Sequence, residues 1–252
     1  MDLGIKDKVV LVTGGARGLG RIDALKFAAE ACRVALCDVD LEGVQRVADD
    51  IERKGGRAKG YRCDICEPEQ VKQMVNDIER AWKSVDILIN NAACLDNFSV
   101  LEKMEDSLWM RDVNVNLTGT YYVTKACYER MKEENWGRII TMASVAGVLG
   151  GFGQASYAAT KSGVLGFMKS VALEGGQKNV TANSIVAGVV KTEGYDFVNP
   201  KMRERIEKRT VLRRPAEPEE IADVILFLAS ERASYITGSE IYITGGIHLF
   251  TF

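Results

Sequence analysis

A doubly wound α/β domain, with a mostly seven-stranded parallel sheet and helices on both faces, is the fold that this 252-residue sequence predicts. Three observations point there. Short β-rich runs alternate with amphipathic helical stretches along the whole chain. Most of those runs are continuously apolar, as parallel strands covered on both faces must be. A glycine-rich turn joins the first run to the first helical stretch.

Taken in order, KVVLVTG (8–14) is the first strand, and TGGARGLG (13–20) turns it into a helix over 19–31. RVALCD (33–38) precedes a helix over 41–54, which Asp40 is suited to cap. AKGYRCD (58–64) leads to a helix over 67–83, where Pro68 fits a first helical turn. DILINNA (86–92) precedes a long helix at 105–133, and GRIITMAS (137–144) precedes one at 155–174. VTANSIV (180–186), a helix over 217–230 opened by Glu217-Pro218, and SEIYITGG (239–246) complete the pattern. Residues 193–214 intervene between the sixth and seventh strands, a length typical of a substrate lid. No linker or internal repeat divides the chain, so 1–252 reads as one domain.

A hydrophobic fraction of 46% and a net charge of -2 favour neither nucleic acid nor an anionic membrane. No apolar run reaches the length of a membrane span, and MDLGIKDKVV lacks a signal-peptide core, so the expected location is the cytoplasm. Cys63 and Cys66 form CDIC, yet zinc needs about four ligands and the one histidine is His248. Reduced thiols and no metal are therefore expected of Cys32, Cys37, Cys63, Cys66, Cys94 and Cys127. The lone histidine also argues against a Ser-His-Asp triad.

In the glycine-rich turn, Gly14, Gly18 and Gly20 allow a tight bend and a helix N-terminus against a pyrophosphate. The second strand ends in Asp38, placed to bond the adenosine ribose and repel a 2′-phosphate. Arg17 would welcome that phosphate, but a carboxylate facing it should prevail, so NAD(H) is expected over NADP(H). Tyr157 and Lys161 lie one helical turn apart, a spacing that many surface helices share and that alone decides nothing.

These motifs together resemble the short-chain dehydrogenase/reductase family over essentially the whole chain. TGGARGLG is similar to that family's TGxxxGxG, NNAA (90–93) to NNAG, and YAATK (157–161) to YxxxK. NVNLTGTYYVTK (114–125) resembles its central helix, and TMASVAG (141–147) its serine segment, with Ser144 lying 13 residues before Tyr157. The resemblance implies a Rossmann-type fold and a catalytic tetrad of Asn116, Ser144, Tyr157 and Lys161. Tyr157 would exchange a proton with the substrate oxygen while hydride moves to or from nicotinamide. Lys161 and the oxidised nicotinamide would lower the tyrosine pKa from about 10. Ser144 would hold the substrate oxygen, Lys161 would also bind the nicotinamide ribose, and Asn116 would position a water connecting Lys161 to solvent. Further cofactor contacts implied are Leu19 in the glycine-rich turn, Asp64 and Ile65 beside adenine, Asn91 and Ala92 along the ribose, and Val190 with Thr192 at the carboxamide.

The chain departs from the family's pattern at several positions. Ala93 replaces a glycine beside the cofactor, and Ala187 stands where proline is usual. Asp23 sits in the first helix where an apolar residue is usual, so it must reach solvent, find a partner or reduce stability. Ala31 replaces a glycine where a left-handed residue is expected, and Gly175-Gly176 weakens the end of the Tyr157 helix.

The resulting expectation is an NAD-dependent enzyme interconverting a hydrophobic, cyclic or aryl-bearing secondary alcohol and its ketone. Its pocket walls would be Leu95, Phe98, Val145, Leu149 and Phe152, with Gln154 as the hydrogen-bonding side chain. Tyr195, Phe197, Val198 and Met202 would close the pocket from the lid. The competing class is a 3-oxoacyl thioester of CoA or a carrier protein, since residues 201–214 carry seven Lys or Arg against two Glu. A non-catalytic dinucleotide-binding regulatory protein is the alternative outside enzymes. By resemblance, the helices at 105–133 and 155–174, then the last helix and strand, would pair the chain into a homotetramer; the apolar end HLFTF (248–252) adds to that expectation.

Overall fold

The computed structural model describes the chain apart from Met1, Asn97, Gly194, Asp196, Phe197, Val198 and 250–252, and apart from the Met202 side chain. Its strands are β1 (Val9–Thr13), β2 (Arg33–Asp38), β3 (Arg57–Arg62), β4 (Ile87–Asn90), β5 (Gly137–Ser144), β6 (Val180–Ala187) and β7 (Glu240–Ile243). They form one seven-stranded sheet in the order β3-β2-β1-β4-β5-β6-β7, parallel throughout. The helices are α1 (Gly18–Ala29), α2 (Leu41–Arg53), α3 (Pro68–Ala81), α4 (Asp106–Val113), α5 (Thr120–Glu133), α6 (Ala146–Leu149), α7 (Ala155–Gly175), α8 (Pro200–Arg209) and α9 (Pro218–Ala229).

Alternate residues of each strand feed opposite cores, which is why the strands read as unbroken apolar runs. Val10 and Val12 of β1 pack with α1, α2 and α9, alongside Phe27, Val44 and Ile225. Val9 and Leu11 face the other way, toward α3, α5 and α7, with Ile78, Val123 and Met168. Each such side chain contributes about 1.5–3 kcal/mol when fully buried. No described helix is long and apolar enough to cross a membrane.

The expected elements are present with ends trimmed by a few residues: 8–14 becomes Val9–Thr13, and 239–246 becomes Glu240–Ile243. One expectation needs correction. The helix at 105–133 is not uniform, because a π-helical turn, Asn114–Gly119, separates α4 from α5. The 193–214 insertion contains α8, which Asn199 caps by accepting the Lys201 N–H.

The departures noted in the sequence have visible consequences. Ala31 adopts φ +61°, the left-handed conformation that normally calls for glycine. Asp23 is 1% exposed, and neither carboxyl oxygen finds a partner. Of the three outcomes open to it, reduced stability is the one that remains. Asp40 caps α2 through the Gly43 N–H, at 2.9 Å. Cys32, Cys37, Cys63 and Cys127 are buried free thiols, and Cys66 and Cys94 are half-buried.

Candidate active site

The strand order reverses between β1 and β4, the crevice where open α/β sheets bind ligands. Thr13, at the end of β1, ties the two halves together. Its hydroxyl accepts the Asn91 and Ala92 N–H groups at 3.0 and 3.1 Å, and the Asn91 amide donates to the Thr13 and Gly14 carbonyls. Gly14 follows with φ +66°. At Gly20 a Cβ would lie 2.3 Å from the Gly14 carbonyl oxygen, so no other residue lets α1 approach β1 so closely.

A cleft of about 850 Å³ opens across these strand ends. Of the expected cofactor contacts, Gly14, Arg17 and Asp38 line one side, and Asp64, Ile65, Asn91 and Ala92 line the other. Asp38 is held by backbone donors, the Ala16 N–H at 3.3 Å and the Asp40 N–H at 3.1 Å. Gly18, Leu19 and Gly20 form the first turn of α1, and Thr192 lies against Gly18. Val190 pairs with Ala216. The cleft thus offers a glycine cradle and a ribose-facing carboxylate, which fit a dinucleotide. Sequence reasoning missed Cys66, Cys94, Met110 and Arg111 among the lining residues. The last two come from α4, and nothing in the sequence pattern marks which face of that helix meets the cleft.

The four tetrad positions do not line this cleft; they lie beyond it, around the C-terminal end of β5 and the start of α7. Ser144 ends β5, and its Oγ accepts the Ala146 N–H at 3.1 Å. Tyr157, in the first turn of α7, is 8% exposed. Burial pushes its hydroxyl above the usual tyrosine range, and the neighbouring Ser144 hydroxyl pulls it back. The expected lowering by Lys161 is not seen in this form of the chain. Lys161 Nζ lies 5.7 Å from the Tyr157 ring centre and donates to the Met142 carbonyl at 2.6 Å. Burial brings that ammonium down to about 8, so part of its charge is already lost near neutrality.

Asn116 sits within the π-helical turn, a feature that recurs at functional sites. Its amide grips the Cys94 backbone from both sides, accepting the N–H at 2.7 Å and donating to the carbonyl at 3.1 Å. A third contact runs from Nδ2 to Thr160 Oγ1, at 3.3 Å. Asn116 therefore fixes the loop after β4, a task that the sequence did not reveal.

Ser99 N–H donates to the Gly153 carbonyl at 2.9 Å, and Ser99 forms a bridge with Gln154. This joins the two segments that carry the expected pocket walls. Leu95, Phe98, Leu149 and Phe152 are all exposed, Phe152 at 93%, while Val145 packs partly buried below them. Tyr195 is buried in the 193–214 insertion, its hydroxyl directed to Glu207 at 3.4 Å. The expected wall residues Phe197, Val198 and the Met202 side chain lie outside the described residues.

Residues 14–248 match the family model described as Enoyl-(Acyl carrier protein) reductase. The chain is 36% identical to the (2S)-[(R)-hydroxy(phenyl)methyl]succinyl-CoA dehydrogenase subunit BbsD of Thauera aromatica, over 98% of this chain and 99% of that one. It is also 36% identical to the 3-oxoacyl-[acyl-carrier-protein] reductase FabG of Aquifex aeolicus, over 98% and 100% of the two chains. The chain belongs to the short-chain dehydrogenase/reductase family. A solved structure, the 3-oxoacyl-[acyl-carrier protein] reductase from Brucella melitensis, superposes with a TM-score of 0.93 at 32% identity, covering 99% of this chain and 95% of that one. Membership makes the chain an oxidoreductase, and it explains why the cleft and the β5–α7 corner occur together on one sheet edge.

Proposed function

We propose that this oxidoreductase interconverts a 3-hydroxyacyl thioester and the 3-oxoacyl thioester, using NAD(H), with an apolar or aryl group beside the reacting carbon. One observation carries the chemistry: a buried Tyr157 beside Ser144, with Lys161 Nζ 5.7 Å from the tyrosine ring centre. Ser144 orients the substrate oxygen, and Tyr157 gives it or takes from it the proton. Lys161, brought down to about 8 by burial, still carries most of its positive charge near neutrality, and there it favours tyrosinate. The bound nicotinamide supplies the hydride acceptor or donor. Gly14, Arg17, Gly18, Asp38, Asp64, Ile65, Asn91, Ala92 and Thr192 are the residues that would hold it.

The thioester reading takes precedence over a free alcohol because the relatives' names specify thioesters. The name of the Thauera protein also carries a phenyl-bearing secondary alcohol, which suits the apolar Leu95, Phe98, Leu149 and Phe152. The exposed Lys201, Arg205, Arg209 and Arg213 of the lid suit the phosphates of CoA or of a carrier arm. Kinetics with acetoacetyl-CoA, benzoylacetyl-CoA and a panel of free cyclic and aryl ketones tests this. A kcat/KM higher for any free ketone would return the preference to a simple carbonyl reductase, and no turnover with any of them would favour a regulatory dinucleotide binder.

NAD(H) is preferred in this reading because Asp38 presents a carboxylate, fixed by two backbone N–H groups, where a 2′-phosphate would have to sit. Equal kcat/KM with NADP(H) would refute it. The proposed assembly is a homotetramer. Leu173 on α7 is 86% exposed and Tyr121 on α5 is 39% exposed, while β7 is an edge strand paired only with β6. The terminal phenylalanines considered with them lie outside the described residues. Light scattering at micromolar concentration should give four times the chain mass.

A further inference from the structure

Two buried polar contacts tie α7 to the helix that carries Asn116, and they repeat with the helical period. Ser156 Oγ donates to Asp112 Oδ2 at 2.5 Å. One turn on, Asn116 Nδ2 donates to Thr160 Oγ1 at 3.3 Å. Asp112 and Asn116 are four residues apart on one helix, as are Ser156 and Thr160 on the other. None of the four is more than 1% exposed. A single contact would leave α7 free to pivot, whereas rungs on successive turns fix its rotation and its register together. Tyr157 and Lys161 each directly follow a rung residue, so their direction is set by the same two contacts.

The Asp112 rung does more than pack. An apolar side chain at this place would avoid the cost of burying a carboxylate, so packing alone gives no reason for an acid. α7 begins without local capping: Gln154 makes no side-chain cap bond, and the first turn contains no acidic residue. Asp112 brings a negative charge to that helix start from a neighbouring helix, where it is favourable. Its Oδ1 accepts Arg111 Nη2 at 2.9 Å and Nε at 3.2 Å. Arg111 also holds Asp96, in the loop after β4, at 2.7 and 3.2 Å. A continuous set of contacts thus runs from that loop to the residue beside Tyr157.

We propose that Asp112 is a positioning residue which, through Ser156, sets the angle at which α7 presents Tyr157 and Lys161. This rests on Tyr157 being the acid–base group, so one measurement below needs no substrate. Ser156→Ala removes the rung without changing charge, and alanine is well tolerated in a helix. Asp112→Ala removes both rung and charge, and Asp112→Asn keeps an acceptor for Ser156.

With acetoacetyl-CoA and NADH, both alanine variants should lose about tenfold in kcat, with KM for NADH within about twofold, as expected of misaimed reacting groups. The double variant should be no worse than the worse single one, and Asp112→Asn should recover most of the loss. Ionisation of Tyr157 is read as the tyrosinate absorbance that disappears in a Tyr157→Phe background. In Ser156→Ala it should move upward by about half a pH unit or more, which loss of stability alone would not produce. An unshifted titration in Ser156→Ala would overturn the proposal, as would unchanged kcat in both alanine variants. Should Asp112→Ala not fold, Ser156→Ala decides alone. Should the unaltered protein not reduce the thioester, the titration still decides while the functional reading fails separately.

Discussion

Asp23 and Asp112 are equally buried, at 1% exposure each, and meet opposite surroundings. Asp112 receives Ser156 and Arg111. Asp23 receives no hydrogen bond at either oxygen, and burial raises its pKa well above the carboxylate range. The contrast extends to the residues around each acid on its own side of the sheet. In the half that carries α4, α5 and α7, Asn116, Thr160 and Lys161 all have hydrogen-bond partners. The half that carries α1 holds an unpartnered acid and the left-handed Ala31. A buried polar group is thus no sign of function by itself; its partners decide whether it orders a site or only weakens the fold. Substitution of the reacting groups on α7 should move turnover with little change in stability, and substitutions in α1 should do the reverse.

The largest effect is expected on the α7 side. Tyr157→Phe should lower kcat by roughly 10²-fold or more, the scale for loss of a general acid–base group. The ring stays to fill its site, so the melting temperature and NADH affinity should remain near those of the unaltered protein. Near-normal turnover would remove the functional meaning of the partnered half.

On the α1 side, Asp23→Leu should stabilise the protein by about 1–3 kcal/mol near neutral pH, the range for relieving an unpaired buried polar group. The sign with pH follows from the raised folded pKa. Below the unfolded value near 3.8 both states are protonated and the penalty linked to ionisation vanishes. Above it the unfolded chain releases its proton while the folded chain retains it, so native stability falls until the folded pKa is passed. The advantage of Asp23→Leu should therefore grow from pH 4 upward, measured by urea unfolding, with kcat unchanged. An advantage that shrinks as pH rises would mean that Asp23 has a stabilising partner in solution.

Asp38 is the partnered carboxylate of the α1 half, and its loss should alter choice, not stability. Asp38→Ala should narrow the NAD(H) preference in kcat/KM by about tenfold, because a carboxylate no longer faces the 2′-phosphate. Arg17, which lines the same cleft, remains available to that phosphate. An unchanged ratio would place cofactor choice elsewhere.

The parallel α/β sheet and the glycine-rich turn facing Asp38 were legible in the sequence because both rest on local signals: apolar runs, a tight turn, an acid at a strand end. Ala31 was legible for the same reason, since a helix-to-strand turn demands a left-handed residue whatever occupies it. The π-helical turn at Asn114–Gly119 was not, because no proline or paired glycine marks it. The Asp112–Ser156 contact joins residues 44 apart in sequence. It emerges only when two helices are packed, and a single acid on a helix otherwise reads as a solvated one. The lowered pKa of Lys161 was hidden too, because burial and not composition causes it.

Ala31 offers the smallest and cleanest measure of the contrast. Its φ of +61° places Cβ against the backbone, a conformation that costs an L-residue about 1–2 kcal/mol. Glycine adopts it without that strain but gains freedom in the unfolded chain, which offsets roughly half of the benefit. Ala31→Gly should therefore stabilise by about 0.5–1 kcal/mol, with no pH dependence, since nothing at residue 31 titrates. The Ala31 carbonyl accepts both the Asp7 N–H and Arg57 Nη2, and glycine preserves these bonds. The gain should add to that of Asp23→Leu, because the two act through different mechanisms, one backbone and one side-chain. Urea unfolding of the double variant checks this. A clear shortfall from additivity would show that the strained turn and the buried acid are one coupled defect of α1, and a loss of kcat in the same variant would end the separation of the two halves.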